Sequence, residues 1–284
     1  MAELAGSIVA IVTPFSEDRL DLAAFSDLLE WHLASGTSAV CVAGTTGEGA
    51  TLRPGERDAL CRRAREVLKG RCPLVAGAGT NATWSSVEAA REAAAAGADA
   101  LLVVVPYYSK PPQEGIVRHF EAVARAAAGV PLIAYDVPGR TAVRLEEETV
   151  RRLARVPGVV ALKDATGDLE RAGRIARGTP LTVLSGDDAH TLAMMERGAR
   201  GVVSVAANVV PAAVAALVRD RSREAQERLQ PLCKALFVES NPVPVKFALA
   251  AMGRIRNELR LPLTPLAEAH HASVRAALQA AGAL

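Results

Sequence analysis

Short, continuously apolar runs alternate along this chain with longer stretches in which apolar residues recur every three or four positions. The runs fall at 7–12 (SIVAIV), 39–42 (AVCV), 73–77 (PLVAG), 100–105 (ALLVVV), 131–136 (PLIAYD), 159–163 (VVALK), 181–186 (LTVLSG) and 201–205 (GVVSV). Apolar residues at successive positions predict strands covered on both faces. Between them the helical period predicts helices near 21–35, 54–69, 81–96, 113–128, 145–155, 168–177 and 188–197, with one more near 210–220. Each connection is long enough for a right-handed crossover between parallel strands. Eight such units match an α/β fold of the (β/α)8 TIM barrel type better than an open doubly wound sheet. Beyond residue 221 only helical pattern remains, in REAQERLQPLCKALFVE, NPVPVKFALAAMG and PLAEAHHASVRAALQAAG. Prolines interrupt it, so the chain reads as a catalytic barrel over 1–221 and a C-terminal helical domain over 222–284.

Composition narrows the function classes. Half of the 284 residues are hydrophobic and 23% are charged, which excludes a disordered chain. The net charge is +2, and the arginines alternate with acids along helical stretches instead of forming a basic stripe with aromatics. Nucleic acid is therefore not an expected partner. The four cysteines, Cys41, Cys61, Cys72 and Cys233, have no CxxC spacing and read as reduced core thiols of a cytoplasmic protein. Glu3 and the lack of a basic residue before the first apolar run argue against a signal peptide. No run reaches the ~18 apolar residues of a membrane span.

Barrel enzymes place their chemistry at the carboxyl ends of the strands, so the residues that follow each run carry the functional reading. These are GTTGEG (44–49), PYYSKP (106–111), YDVPGRT (135–141), Lys163, SGDD (185–188) and SVAAN (204–208). The chain has three tyrosines, Tyr107, Tyr108 and Tyr135, and all lie in this set. Lysine is scarce, five against 28 arginines, yet Lys163 ends an otherwise apolar strand. One reading makes its amine a nucleophile, since burial disfavours the ammonium and a neutral amine can form a Schiff base with a ketone. The other has it snorkel at the strand end or pair with Asp164. GTTGEG lacks the Gly-Lys-Ser/Thr ending of a phosphate loop, and its hydroxyls and backbone N–H groups suit a carboxylate or a plain turn. Arg140 offers a bidentate partner for a second carboxylate, or a surface charge. Thr45, Tyr108 and Tyr135 are candidates for a hydrogen-bonded proton relay. Asp187 and Asp188 read as caps of the seventh helix. The histidines lack ligand spacing, which disfavours a zinc site.

GTTGE, PYY, YDVPGRT, KDATGD, SGDDA, NPVPVK and LRLPLTP together resemble the dihydrodipicolinate synthase family, within the pyruvate-dependent class I aldolases that include N-acetylneuraminate lyase. The likeness spans essentially the whole chain. It implies a lyase in which Lys163 forms a Schiff base with pyruvate, whose carboxylate Thr45 and Thr46 hold. The enamine would attack aspartate semialdehyde, giving 4-hydroxy-tetrahydrodipicolinate for lysine and diaminopimelate synthesis. The resemblance further implies a relay of Thr45, Tyr135 and Tyr108, with Tyr108 supplied by a neighbouring subunit. Arg140 would receive the semialdehyde carboxylate, and Gly186 and Val203 would line the lysine pocket. It implies no metal or organic cofactor, and a homotetramer built as a dimer of dimers.

Some positions depart from the family pattern. Where lysine-inhibited members carry Ser, two His and Glu, this chain has Gly49, Pro54, Arg57 and Ser85, while Ala50, Asn81 and Tyr107 match. Weak or absent inhibition by lysine is expected. Asp136 stands where many members have Asn. The alternatives are a related aldolase that cleaves a sugar acid, N-acetylneuraminate or 2-keto-3-deoxygluconate, and a catalytically silent binding barrel.

Overall fold

A computed structural model describes residues 4–284; Glu3, used above against a signal peptide, lies outside the described residues. Eight parallel strands close into a barrel: β1 (Gly6–Ala10), β2 (Ala39–Val42), β3 (Leu74–Gly77), β4 (Ala100–Val104), β5 (Leu132–Asp136), β6 (Val159–Asp164), β7 (Thr182–Ser185) and β8 (Gly201–Ser204). Each strand pairs with its neighbours in sequence, and β1 closes the ring by pairing Ile8 with both Ala39 of β2 and Val203 of β8. The expected (β/α)8 architecture is thus present. A two-stranded ribbon, Phe15–Ser16 with Arg19–Leu20, follows β1 and is too short for any alternation to announce it.

The helices are α1 (Leu22–Ala34), α2 (Glu56–Leu68), α3 (Thr83–Ala95), α4 (Gln113–Ala126), the single turn α5 (Pro138–Thr141), α6 (Glu147–Leu153), α7 (Leu169–Gly178), α8 (Thr191–Met195) and α9 (Pro211–Asp220). Three more follow the barrel: α10 (Arg223–Ala235), α11 (Val243–Ala251) and α12 (Glu268–Ala280). Alternation along the strands divides the core in two. Ile8, Cys41, Val75, Leu102, Ile133, Ala161, Leu184 and Val203 fill the barrel, while Val9, Val40, Leu101, Ala134 and Leu162 face the helices. This two-sided burial is why the strands are continuously apolar.

Charged residues that break this rule are paired inside the outer layer. Asp136 and Asp164 leave β5 and β6 on the helix side and both bind Arg171 of α7, at 2.8 and 2.6 Å. Lys163 and Asp164 therefore point to opposite faces, and the reading that paired them is replaced by an Asp164–Arg171 bond. Asp187 accepts the Ala189 N–H at 2.9 Å, as a cap should. Asp188 does not cap a helix. Its carboxylate turns under the β8 end and accepts from Ser204 Oγ, Val205 N and Ala206 N, at 2.5, 2.8 and 3.0 Å. Burial raises its pKa despite those bonds. The four cysteines are buried and unpaired, and burial pushes the thiols of Cys41 and Cys72 up to about 11 and that of Cys61 to about 12. Among the described residues no helix is long and apolar enough to cross a membrane.

Candidate active site

A cavity of about 630 Å³ opens at the carboxyl end of the barrel. Thr45, Tyr107, Tyr135 and Arg140 line it, together with Asn241, Pro242 and Leu263 from beyond the barrel. Lys163 is not itself in the lining; 5% exposed, it lies on the inward face of β6, level with Leu184 and beside Tyr135. A register irregularity between β5 and β6 aims it there. Leu132 pairs with Val159 but Ile133 pairs with Ala161, so Val160 is skipped and Lys163 comes level with Tyr135. Without that extra residue Tyr135 would pair with Leu162 and the amine would face the helices.

The Lys163 amine lies 4.1 Å from the centre of the Tyr135 ring and, among the described residues, has no hydrogen bond or ion pair. An amine with no committed partner and next to a cavity is free to meet a ketone there, as a nucleophilic lysine must. Gly186 crosses close by: its N–H donates to the Asp164 carbonyl at 2.8 Å, and a Cβ there would meet Ala165 Cβ at 2.7 Å. Only glycine lets the loops after β6 and β7 approach this closely. Val203 is buried in the barrel beneath, in the same cluster as Tyr135 and Leu184.

The GTTGEG segment forms a tight turn over the barrel mouth. Glu48 N–H returns to Thr45 O at 3.1 Å and Gly49 N–H to Gly44 O at 3.0 Å, while the N–H groups of Thr45 and Thr46 donate to no other described residue. Unspent N–H groups beside two hydroxyls are what a carboxylate would find here. The turn is fixed from outside the barrel by residues that sequence reading passed over. Asn241 Nδ2 donates to Thr46 Oγ1 at 3.0 Å, and the Asn241 carbonyl accepts from Arg140 Nη2 at 3.2 Å. Glu48, fully buried, accepts from Lys246 Nζ at 2.5 Å and from Arg260 N at 3.0 Å. Lys246 also donates to Thr13 O at 2.9 Å, and Arg260 reaches on to Glu56 and Asp18. These partners lie between 101 and 242 positions apart, beyond any local pattern, although NPVPVK and LRLPLTP contained three of them.

Not every candidate meets in one chain. Tyr108 is 87% exposed, points away from the cavity's lining and holds φ +74°, a left-handed conformation costly for a bulky side chain. The hydroxyls of Thr45 and Tyr135 share the cavity without a hydrogen bond between them. Of the positions tied to lysine inhibition, Gly49, Ala50, Arg57 and Tyr107 line the outer part of the cavity. Asn81 is exposed outside it, and the Ser85 hydroxyl is 2.6 Å from Thr80 Oγ1.

The chain as a whole has similar relatives. A 4-hydroxy-tetrahydrodipicolinate synthase from Acidovorax sp. (strain JS42) is 47% identical over all of this chain and 98% of the relative. The crystal structure of a chloride-inhibited dihydrodipicolinate synthase from Acinetobacter baumannii, complexed with pyruvate, superposes with a TM-score of 0.96 at 42% identity, covering 99% of this chain and all of the other. That of the enzyme from Cyanidioschyzon merolae with lysine bound gives 0.95 at 39% identity over 99% of each chain. Residues 3–281 match the dihydrodipicolinate synthetase family, nearly the whole length of the chain, and this chain belongs to that family.

Proposed function

We infer that the protein condenses pyruvate with L-aspartate 4-semialdehyde to 4-hydroxy-tetrahydrodipicolinate, as a lyase of lysine and diaminopimelate biosynthesis. The observation that carries the mechanism is the buried Lys163 amine, without a hydrogen bond or ion pair among the described residues, 4.1 Å from the ring of Tyr135, which lines the cavity with Thr45 and Arg140. Lys163 Nζ attacks the pyruvate ketone, and loss of water leaves the Schiff base. The protonated imine draws electrons from C3, whose proton leaves to give the enamine. Thr45 and Thr46 hold the pyruvate carboxylate through their free N–H and hydroxyl groups. The enamine carbon adds to the aldehyde of the semialdehyde, whose carboxylate pairs with Arg140. The amine of that substrate then closes on the imine carbon and releases the lysine. Tyr135 and Thr45 carry protons to and from these atoms, with Tyr108 reaching in from a second copy of the chain. Gly186 and Val203 shape the lysine pocket.

No metal or organic cofactor takes part in this scheme, because the imine is itself the electron sink. We place the enzyme in the cytoplasm as a homotetramer, a dimer of dimers, with residues 1–221 as the catalytic domain and 222–284 as the helical domain that braces the GTTGEG turn. Reduction with borohydride in the presence of pyruvate, followed by peptide mapping, is expected to put a stable adduct on Lys163 alone. An adduct elsewhere, or none, overturns the mechanism. Turnover of pyruvate with aspartate semialdehyde, but not of N-acetylneuraminate or 2-keto-3-deoxygluconate, separates the synthase from a sugar-acid aldolase.

A further inference from the structure

Arg140 sits on a loop that leaves β5 at Asp136 and returns to the protein body at Leu145, and both ends of this loop are tied at one buried point. Asp136 Oδ1 accepts the Leu145 N–H at 3.3 Å, and Asp136 Oδ2 accepts from Arg171 Nη2 at 2.8 Å. The same Nη2 donates to the Leu145 carbonyl at 2.7 Å, while Arg171 Nη1 binds Asp164 Oδ2 at 2.6 Å. Asp136 is fully buried, and Asp164 and Arg171 are each 2% exposed. The clamp therefore joins the loop base to the two residues that follow Tyr135 and Lys163 in their strands.

We propose that Asp136 and Arg171 form a positioning clamp that fixes the Arg140 loop over the cavity, and so sets how well the second substrate is held. The clamp works fully only while Asp136 is ionised. Each of its oxygens already accepts a bond, so a proton on either one breaks the tie to Leu145 or the tie to Arg171. Substrate carboxylates are gripped by a guanidinium only when its geometry is held within a fraction of an ångström, and a loosened loop surrenders that. The groups around the carboxyl are few. Asp164 of β6 and Arg171 of α7 face it, β4 presents only apolar residues, and Glu147 of α6 lies beyond Arg171 and is paired with Arg174. Burial, reinforced by Asp164 and opposed by Arg171, pushes the Asp136 pKa up from 3.8 to about 6. The carboxyl is thus ionised at neutral pH, and the clamp weakens as pH falls through that value.

The inference rests on Arg140 receiving the semialdehyde, and the experiment tests the two separately. Steady-state kinetics are run on the wild type, Asp136→Asn and Arg140→Ala between about pH 5.5 and pH 8. Wild-type KM for aspartate semialdehyde is expected to rise about three- to tenfold toward the acid end, relative to KM for pyruvate. Asp136→Asn keeps the shape but cannot offer two acceptor oxygens, so it should show the raised KM at every pH and no acid limb. A merely structural Asp136 would change melting temperature without moving this ratio. A wild-type ratio that does not vary with pH, or an acid limb that persists in Asp136→Asn, overturns the clamp while leaving Arg140 in place. If Arg140→Ala leaves KM for the semialdehyde unchanged, the assignment of Arg140 falls, and the clamp with it.

Discussion

Five lysines stand in this chain; Lys69, Lys110 and Lys234 are exposed, and the two buried ones have opposite surroundings. Among the described residues the Lys163 amine makes no hydrogen bond or ion pair, whereas the Lys246 amine is held by Glu48 and Thr13 O and stacks 4.4 Å from the Phe15 ring centre. Burial lowers the Lys246 pKa while Glu48 acts to raise it, the behaviour of a cation tolerated only through its partner. Lys163 could be singled out from sequence because it interrupts an apolar strand at the catalytic end of a barrel. Lys246 could not, since nothing local reveals a partner 198 positions away. Replacing Lys246 with Met should strand the Glu48 carboxylate in the core and cost about 3–5 kcal/mol, whereas the pair Glu48→Gln with Lys246→Met should recover much of that loss. Urea unfolding of the wild type and these two variants measures this; a single variant no less stable than the double one refutes the pairing as the cause.

At the scale of elements, the eight strands were legible to within two residues because each is buried on both faces and bounded by turn residues. The irregularity that aligns Lys163 with Tyr135 was not legible, because skipping Val160 depends on how β5 and β6 twist against each other and leaves no mark in either run. The first turns of α2 and α3 bear on the expected weak inhibition by lysine. Arg57, in the first turn of α2, lines the outer cavity, and Ser85, in the first turn of α3, spends its hydroxyl on Thr80. Among the described residues the one carboxylate lining the cavity, Glu48, is committed to Lys246 and the Arg260 N–H. A ligand ammonium entering there would face a guanidinium with no acid to receive it, losing about 1.5–3 kcal/mol for each charge-assisted bond. Lysine at about 10 mM should accordingly lower the rate less than twofold. Half-inhibition well below millimolar in a coupled assay refutes this reading.

For the whole molecule, Tyr108 does not line the cavity that Thr45 and Tyr135 share, so the proposed proton relay would need a second copy of the chain. Tyr108 is turned out into solvent on a left-handed backbone, with φ +74°. Its neighbour Tyr107 turns inward to the cavity, so the PYY segment presents one tyrosine to its own site and one to the outside. A second copy packed on this face would receive Tyr108 at its cavity and return its own, the reciprocal arrangement of a two-fold interface. Complementation tests this directly. Lys163→Ala and Tyr108→Phe should each be nearly inactive, the first for want of a nucleophile, the second by about 10²-fold for want of a proton donor. In a mixed dimer one cavity carries both defects, while the other combines an intact lysine with an intact tyrosine lent by the Lys163→Ala chain. Co-refolding the two in equal amounts should restore about a quarter of the wild-type rate, the share expected from random pairing with one working site in each mixed dimer. If Tyr108 serves its own chain, every mixed cavity retains a defect and the mixture stays as inactive as its parts.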